Sequence, residues 1–363
     1  MNKKNFLFLL TAIVAILLTG CWSRTEINAT AIILGAGVDW MENGNILLTL
    51  QIARSGSFSG GESGAGGQET GATWVLSAEG KTIADAERDL SMRIPRKIYW
   101  NHCAVLVIGE EIARKELDAV VNFFELDAAL REMTKVVVAR GRAKDVLQTS
   151  SSLEKSSSTA MVLLIKKTTA FDIMLEEFVR MLGSKGIDPV LPGVETKESG
   201  FIPEPGKEKE PQEIRQVQLS GAAVFKDDKL VGWLNPQETK AFLWLKGEDM
   251  KGMVVIPSPF EAQKYISYRI LHGSSKVVPE YDGEHLLFNV KVTLKGAIVE
   301  QQSSKENLDL NDPEKINILE SEIPKVVKHQ ITLTLEKAQK EFGADIFGFG
   351  ETFHATIKKS GAN

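Results

Sequence analysis

Between residues 286 and 342 the apolar period of the chain changes from two to about 3.6, and this change restricts the fold more than any other feature. Phe288, Val290, Val292 and Leu294 alternate with Asn289, Lys291, Thr293 and Lys295. Successive side chains of a strand point to opposite faces, so this stretch has one apolar and one wet face, as in an antiparallel sheet covered on one side. From Glu314 to Phe342 the residues Ile316, Leu319, Ile323, Val326, Val327, Ile331, Leu335, Ala338 and Phe342 make one stripe at helical spacing. Pro324 is expected to kink or break that helix. The simplest packing lays the helix across the apolar face of the sheet, a helix-on-sheet arrangement of the α+β class.

The first half of the chain mixes the two periods. Ala31-Ile32-Ile33-Leu34 and Ile46 to Ile52 read as strands around Glu42-Asn43-Gly44-Asn45, whose Asn-Gly step suits a tight hairpin turn. Thr82 to Met92 and Ile112 to Leu126 each read as one helix, and Val136 to Ala139 as a buried strand before a short helix at Ala143 to Leu147. Ala222 to Phe225 and Leu230 to Trp233 flank Asp227-Asp228 as a second hairpin.

A length of 363 residues suggests two or three domains. Ser55 to Gly67 is too rich in Gly and Ser to order itself, so 55–72 is expected to be a flexible surface loop inside one domain. Glu198 to Glu213 carries Pro203, Pro205 and Pro211 among alternating charges and has little to bury. These stretches divide the chain into residues 1–20, an N-terminal mixed α/β region at 21–197, a linker at 198–213 and a C-terminal helix-on-sheet domain at 214–363.

Residues 1–20 have the grammar of an export signal: Lys3 and Lys4, an apolar run from Phe6 to Leu18, then Leu18-Thr19-Gly20-Cys21. The apolar run is shorter than the roughly 20 residues that span a bilayer core. A cysteine directly after small residues is what bacterial lipoprotein processing acylates, so Cys21 is expected to carry a diacylglyceryl group. Two acyl chains give stable anchoring, at about 0.8 kcal/mol per buried CH₂. The partner read from the residues is therefore membrane lipid, reached through acylated Cys21. Formal charge is −5, and near −7 once Lys3 and Lys4 are removed, which argues against nucleic acid as a partner.

The residues assign no catalytic, cofactor-binding or metal site. Cys103 is the other cysteine; it lies in an apolar run, where a thiol packs as a small core residue more often than it attacks. His102 precedes it but should point to the opposite face. Gly35-Ala36-Gly37 begins like a dinucleotide loop, yet Trp40 stands where the third glycine belongs, so it reads as a closely packed strand. Ser152-Leu153-Glu154-Lys155 matches S-x-x-K without an accompanying K-T-G. His102, His272, His285, His329 and His354 lack metal-site spacing. Asp118, Asp127 and Glu132 read as a solvated helix face.

Several stretches together carry a resemblance. Cys21-Trp22-Ser23-Arg24-Thr25-Glu26-Ile27-Asn28 is followed by Ile94-Pro95-Arg96-Lys97, His102 and Leu106-Val107-Ile108-Gly109-Glu110. Then come Asp188-Pro189-Val190-Leu191-Pro192, Gly221-Ala222-Ala223-Val224-Phe225 and Gly343-Ala344-Asp345-Ile346-Phe347-Gly348-Phe349-Gly350. In this order they resemble the Ger(x)C family, the C subunits of nutrient germinant receptors of spore-forming bacteria. The resemblance implies three mixed α/β domains without evident catalytic machinery, integral-membrane A and B subunits as partners, and a place on the outer face of the spore inner membrane. It leaves contact with the nutrient itself open. Family members usually continue past Phe353 with a further helix and strand, whereas this chain stops at Asn363. Its final strand is expected to be missing or diverged, and its loss would leave an unpaired edge in the C-terminal sheet.

Among the quoted residues, Gly343, Gly348, Gly350, Pro95 and Asp345 suit turns and helix ends. Arg96, Lys97 and His102, polar groups beside an apolar strand, are the candidates for contacts. Two other functions fit parts of the chain: a solute-binding lipoprotein of a transporter, which calls for two similar lobes around a cleft, and an envelope hydrolase resting on Ser152 and Lys155.

Overall fold

The computed structural model describes residues 4–5, 29–54, 72–126, 130–131, 133–149, 151, 153–167, 172–198, 215–248, 250–282, 284–303 and 312–360. Cys21 and the opening after it, most of the Gly/Ser stretch, Ser152, Asp127, Glu132 and nearly all of 198–213 lie outside the described residues.

The first hairpin forms as its pattern indicates. Strands β1 (Thr30–Trp40) and β2 (Ile46–Ala53) pair antiparallel, and the Asn43 carboxamide oxygen accepts from Asn45 N in the turn. β1 runs on through Gly35-Ala36-Gly37, where the backbone lies against Ser158, Leu147 and Ala143 with no room for a Cβ on either glycine. β3 (Thr73–Gly80) pairs with β2 and leads into helix α1 (Ile83–Arg93), whose first turn is capped by the Thr82 hydroxyl accepting from Asp85 N. Ile83, Ala86 and Leu90 are its buried face.

β4 (Lys97–Tyr99) and β5 (Val105–Ile108) then pair parallel with β1, and β6 (Lys135–Ala139) parallel with β5. The single helix expected over 112–126 is two helices, α2 (Glu110–Lys115) and α3 (Leu117–Leu126). Residues five apart on one continuous helix would point about 140° away from each other. Glu116 leaves helical geometry at φ −144, ψ 47, and the break lets Ile112 and Leu117 both be buried. After α4 (Ala143–Gln148) come α5 (Ser157–Lys167), α6 (Leu175–Leu182) and β7 (Val190–Glu198), which is parallel to β6.

β8 (Arg215–Lys226) pairs antiparallel with β7, and β9 (Lys229–Leu234) with β8. The large sheet therefore has the order β3-β2-β1-β5-β6-β7-β8-β9 with β4 on β1, and strands from both sides of residues 198–213 share it. Two apolar cores cover it, a long one drawn from Ala31 to Phe347 and a smaller one on the other face, where Val105, Val107 and Val137 meet Leu147, Met161 and Ile165.

Helix α7 (Pro236–Lys246) carries a capping box between Asn235 and Glu238 and buries Trp244 completely. Beyond it stands the second sheet, β10 (Gly252–Pro257), β11 (Tyr265–Tyr281) and β12 (Leu286–Gln301), all antiparallel in that order. The long helix α8 (Pro313–Glu336) is continuous through Pro324. It passes into a π-helical turn, Lys337–Phe342, which stops at Gly343 with φ +62. Leu319, Ile323 and Val327 of α8 share a core with Val254, Ile256, Ile266 and Ile270, so the helix covers β10 and the first part of β11. Its closure over β12 is partial: Val292, Leu294 and Ile298 pack against the same core, whereas Val290 remains 38 % exposed and a cavity of about 1050 Å³ opens between this strand and Ile316 to Leu335. Phe288 turns instead to α9 (Phe349–Ser360), stacking on Phe349 at 4.6 Å. The fold class is α+β, a large mixed sheet beside a small antiparallel sheet packed by a long amphipathic helix.

Candidate functional site

The quoted stretches of the last two-thirds of the chain converge on one junction. β7 begins just after Asp188, the β8–β9 turn holds Lys226 and Asp227, and Gly343 to Gly350 connects α8 to α9. The Asp188 carboxylate accepts from Asp227 N at 3.0 Å, from the Lys226 Nζ at 3.0 Å and from Asp345 N at 2.7 Å. The Asp188 N–H in turn donates to the Asp345 carbonyl at 2.9 Å. Asp227 sits at φ 54, a conformation the bond to Asp188 helps hold. Asp345 then caps the next helix: its two carboxylate oxygens accept from Phe349 N at 3.0 Å and Gly350 N at 2.8 Å.

Close backbone contact completes the junction. Glu351 N donates to the Gly186 carbonyl, and a Cβ on Gly186 would stand 2.6 Å from that nitrogen. Ser184 Oγ donates to Glu351, Ile346 is fully buried, and Phe347 packs tilted on Phe242. The hydrogen bond to Asp188 raises the Lys226 ammonium above its ordinary range, against a smaller opposing effect of burial. The polar groups named in this set all have backbone or side-chain partners, so the arrangement fixes the C-terminal segment to the large sheet.

A second junction lies at the opposite ends of the strands. Glu110 accepts from Arg114 at 2.7 Å, from Trp233 Nε1 at 3.1 Å and from Gly141 N at 3.2 Å, and Arg140 lies over the Trp233 ring at 4.3 Å. Burial pushes the Glu110 carboxyl up, but these donors and the Arg114 charge outweigh it and hold the group below the usual carboxylate range. Nearby, Asp39 accepts from Ala143 N and Lys144 N at the start of α4; desolvation raises its carboxyl despite both bonds.

The remaining candidates are dispersed. Cys103 is buried, its Sγ donates to the Val105 carbonyl, and burial pushes the thiol up to about 12, far from a thiolate nucleophile. His102 is exposed, beside Tyr99. Arg96 and Lys97 are exposed at the start of β4. Asp118 is exposed as a helix-face residue. Lys155 is exposed ahead of α5, and Ser152 is outside the described residues. Among the described residues no group of three or more His, Cys, Asp or Glu side chains is placed to hold a metal ion. Nor is any described helix long and apolar enough to cross a membrane.

Residues 23–196 match the family described as spore germination protein N-terminal domain, and residues 220–361 match spore germination B3/GerAC-like, C-terminal. The chain belongs to the Ger(x)C family of spore germination proteins. The two matched segments meet at the stretch expected to be a linker, although strands from both segments share the large sheet. Spore germination protein KC of Bacillus subtilis is 28 % identical over 98 % of this chain and 88 % of its own length. Spore germination protein B3 of the same organism is 26 % identical over 90 % of this chain and 83 % of its own. The crystal structure of the GerBC protein superposes with a TM-score of 0.54 over 89 % of this chain and 87 % of that one, at 20 % identity, which establishes a shared fold. The solute-binding reading draws no support from these relatives or from the helix-on-sheet unit, which is not a second lobe.

Proposed function

We propose that this protein is a lipid-anchored, non-enzymatic subunit of a spore nutrient germinant receptor. Acylated Cys21 holds it on the outer face of the spore inner membrane, where it works with integral-membrane A and B subunits. The observation that carries the reading is the family match over nearly all of the chain, standing directly behind a lipoprotein cleavage pattern at Leu18-Thr19-Gly20-Cys21. The geometry is in keeping with it: the quoted motif residues at the Asp188 junction lock strands, turns and helices together, as in a rigid scaffold that presents surfaces. Affinity purification of the tagged chain from solubilised spore membranes tests the partnership. Recovery of A- and B-type subunits is the expected result; recovery of a transporter permease in their place would overturn it.

A further inference from the structure

We infer that the edge of the large sheet where its parallel strands begin is the face that lies on the bilayer, and that it binds anionic phospholipid directly. The inference rests on the anchoring of Cys21 and adds an orientation to it. Thr30, the first residue of β1, pairs with Lys97, the first of β4. Ala104 N, just before β5, donates to the Leu34 carbonyl, and Lys135 N, at the start of β6, donates to the Ala104 carbonyl. These links run stepwise: Lys97 lies level with the start of β1, while His102 and Met133 precede strands that begin opposite Gly35, roughly 15 Å further along β1, so the three follow a slanted edge to which the end of α1 delivers Met92 and Arg96.

Two properties distinguish that edge. The first is distance: the eight steps from Cys21 to Ala29 reach at most about 28 Å at ~3.5 Å per residue, while β1 carries its far end roughly 35 Å further away. The second is composition. Met92 and Met133 are 73 % and 70 % exposed, and Arg96, Lys97, His102 and Arg131 are exposed among them; Asp172 at the same edge is taken up by its ion pair with Lys135, on a chain whose net charge is −5. Flexible apolar side chains between cations suit the headgroup and acyl boundary, and each cation near an anionic surface raises affinity by about fivefold.

The test uses the full acylated chain in phosphatidylcholine vesicles containing phosphatidylglycerol and brominated acyl chains. An environment-sensitive fluorophore is attached at Lys97→Cys or, independently, at Met92→Cys, with Asn43→Cys in the far hairpin as the control; buried Cys103 stays unlabelled. The expected result is quenching at 97 and 92 several-fold stronger than at 43, weakened when phosphatidylglycerol is left out while flotation with the vesicles persists. A chain that floats but is quenched equally at 97 and 43, or at neither, overturns the orientation and assigns the patch to a protein partner. A chain that does not float overturns the anchoring as well.

Discussion

Replacing Asp188 by Ala removes the acceptor that joins three elements, and the structure sets the size of the effect. The Asp188 side chain is 9 % exposed and accepts from two backbone N–H groups, Asp227 and Asp345, besides Lys226. Hydrogen bonds to a charged group contribute about 1.5–3 kcal/mol each. The Asp227 N–H can recover a water, since that residue is exposed, whereas the Asp345 backbone sits in the part-buried junction. Asp188→Ala should therefore lose about 3–4 kcal/mol. The ion pair contributes little of this, because the Lys226 side chain is 44 % exposed and solvent screens it. Lys226→Met serves as the internal control, with an expected loss below about 1 kcal/mol. Urea unfolding of the purified chain, followed by circular dichroism, measures both. Limited proteolysis of Asp188→Ala should show its first cleavage after Gly343. A loss below about 1 kcal/mol for Asp188→Ala, or equal losses for the two variants, would refute the argument that backbone capping holds the junction.

Two further outcomes follow from the same structure. Cys103, raised from 9.0 to about 12, stays a thiol in the fold while the unfolded chain ionises, so its contribution is complete below pH 9 and is lost as pH rises toward 12. Stability should fall by about 1.4 kcal/mol per pH unit in that window; Cys103→Ala should flatten the slope, and an unchanged slope would contradict the assignment. Gly186→Ala drives a methyl to within 2.6 Å of Glu351 N and should cost about 2–3 kcal/mol while displacing α9, read as loss of amide-exchange protection at Glu351; wild-type protection there would show that the close approach is not needed.

Elements with a sustained period are legible in the sequence. The β1–β2 hairpin, α1 and α8 each show an uninterrupted pattern, and local chemistry at Asn43-Gly44 and Thr82 marks where two of them turn or begin. The break at Glu116 is not legible, because apolar residues continue on both sides of it and only the tertiary burial of both Ile112 and Leu117 selects two helices over one. Alternation across Phe288 to Leu294 correctly gives a strand but not what covers it: Phe288 is taken by Phe349, Val292 and Leu294 pack on the core beneath α8, and Val290 is left exposed at a cavity. The Asp188–Asp345 junction joins residues 157 positions apart, a pairing no local pattern encodes. The motif stretches point to both residues singly. Their meeting explains why those stretches suit a shared fold: each supplies one part of a common set of backbone bonds.

Membrane partition of the Cys21→Ala chain, measured beside nutrient-triggered germination of the same spores, decides whether Cys21 holds a receptor subunit at the spore inner membrane. The wild-type chain is expected to float with inner-membrane vesicles and to carry the mass of a diacylglyceryl group, while Cys21→Ala leaves the membrane and impairs the nutrient response. Full membrane retention together with a normal nutrient response in Cys21→Ala would contradict anchoring through Cys21.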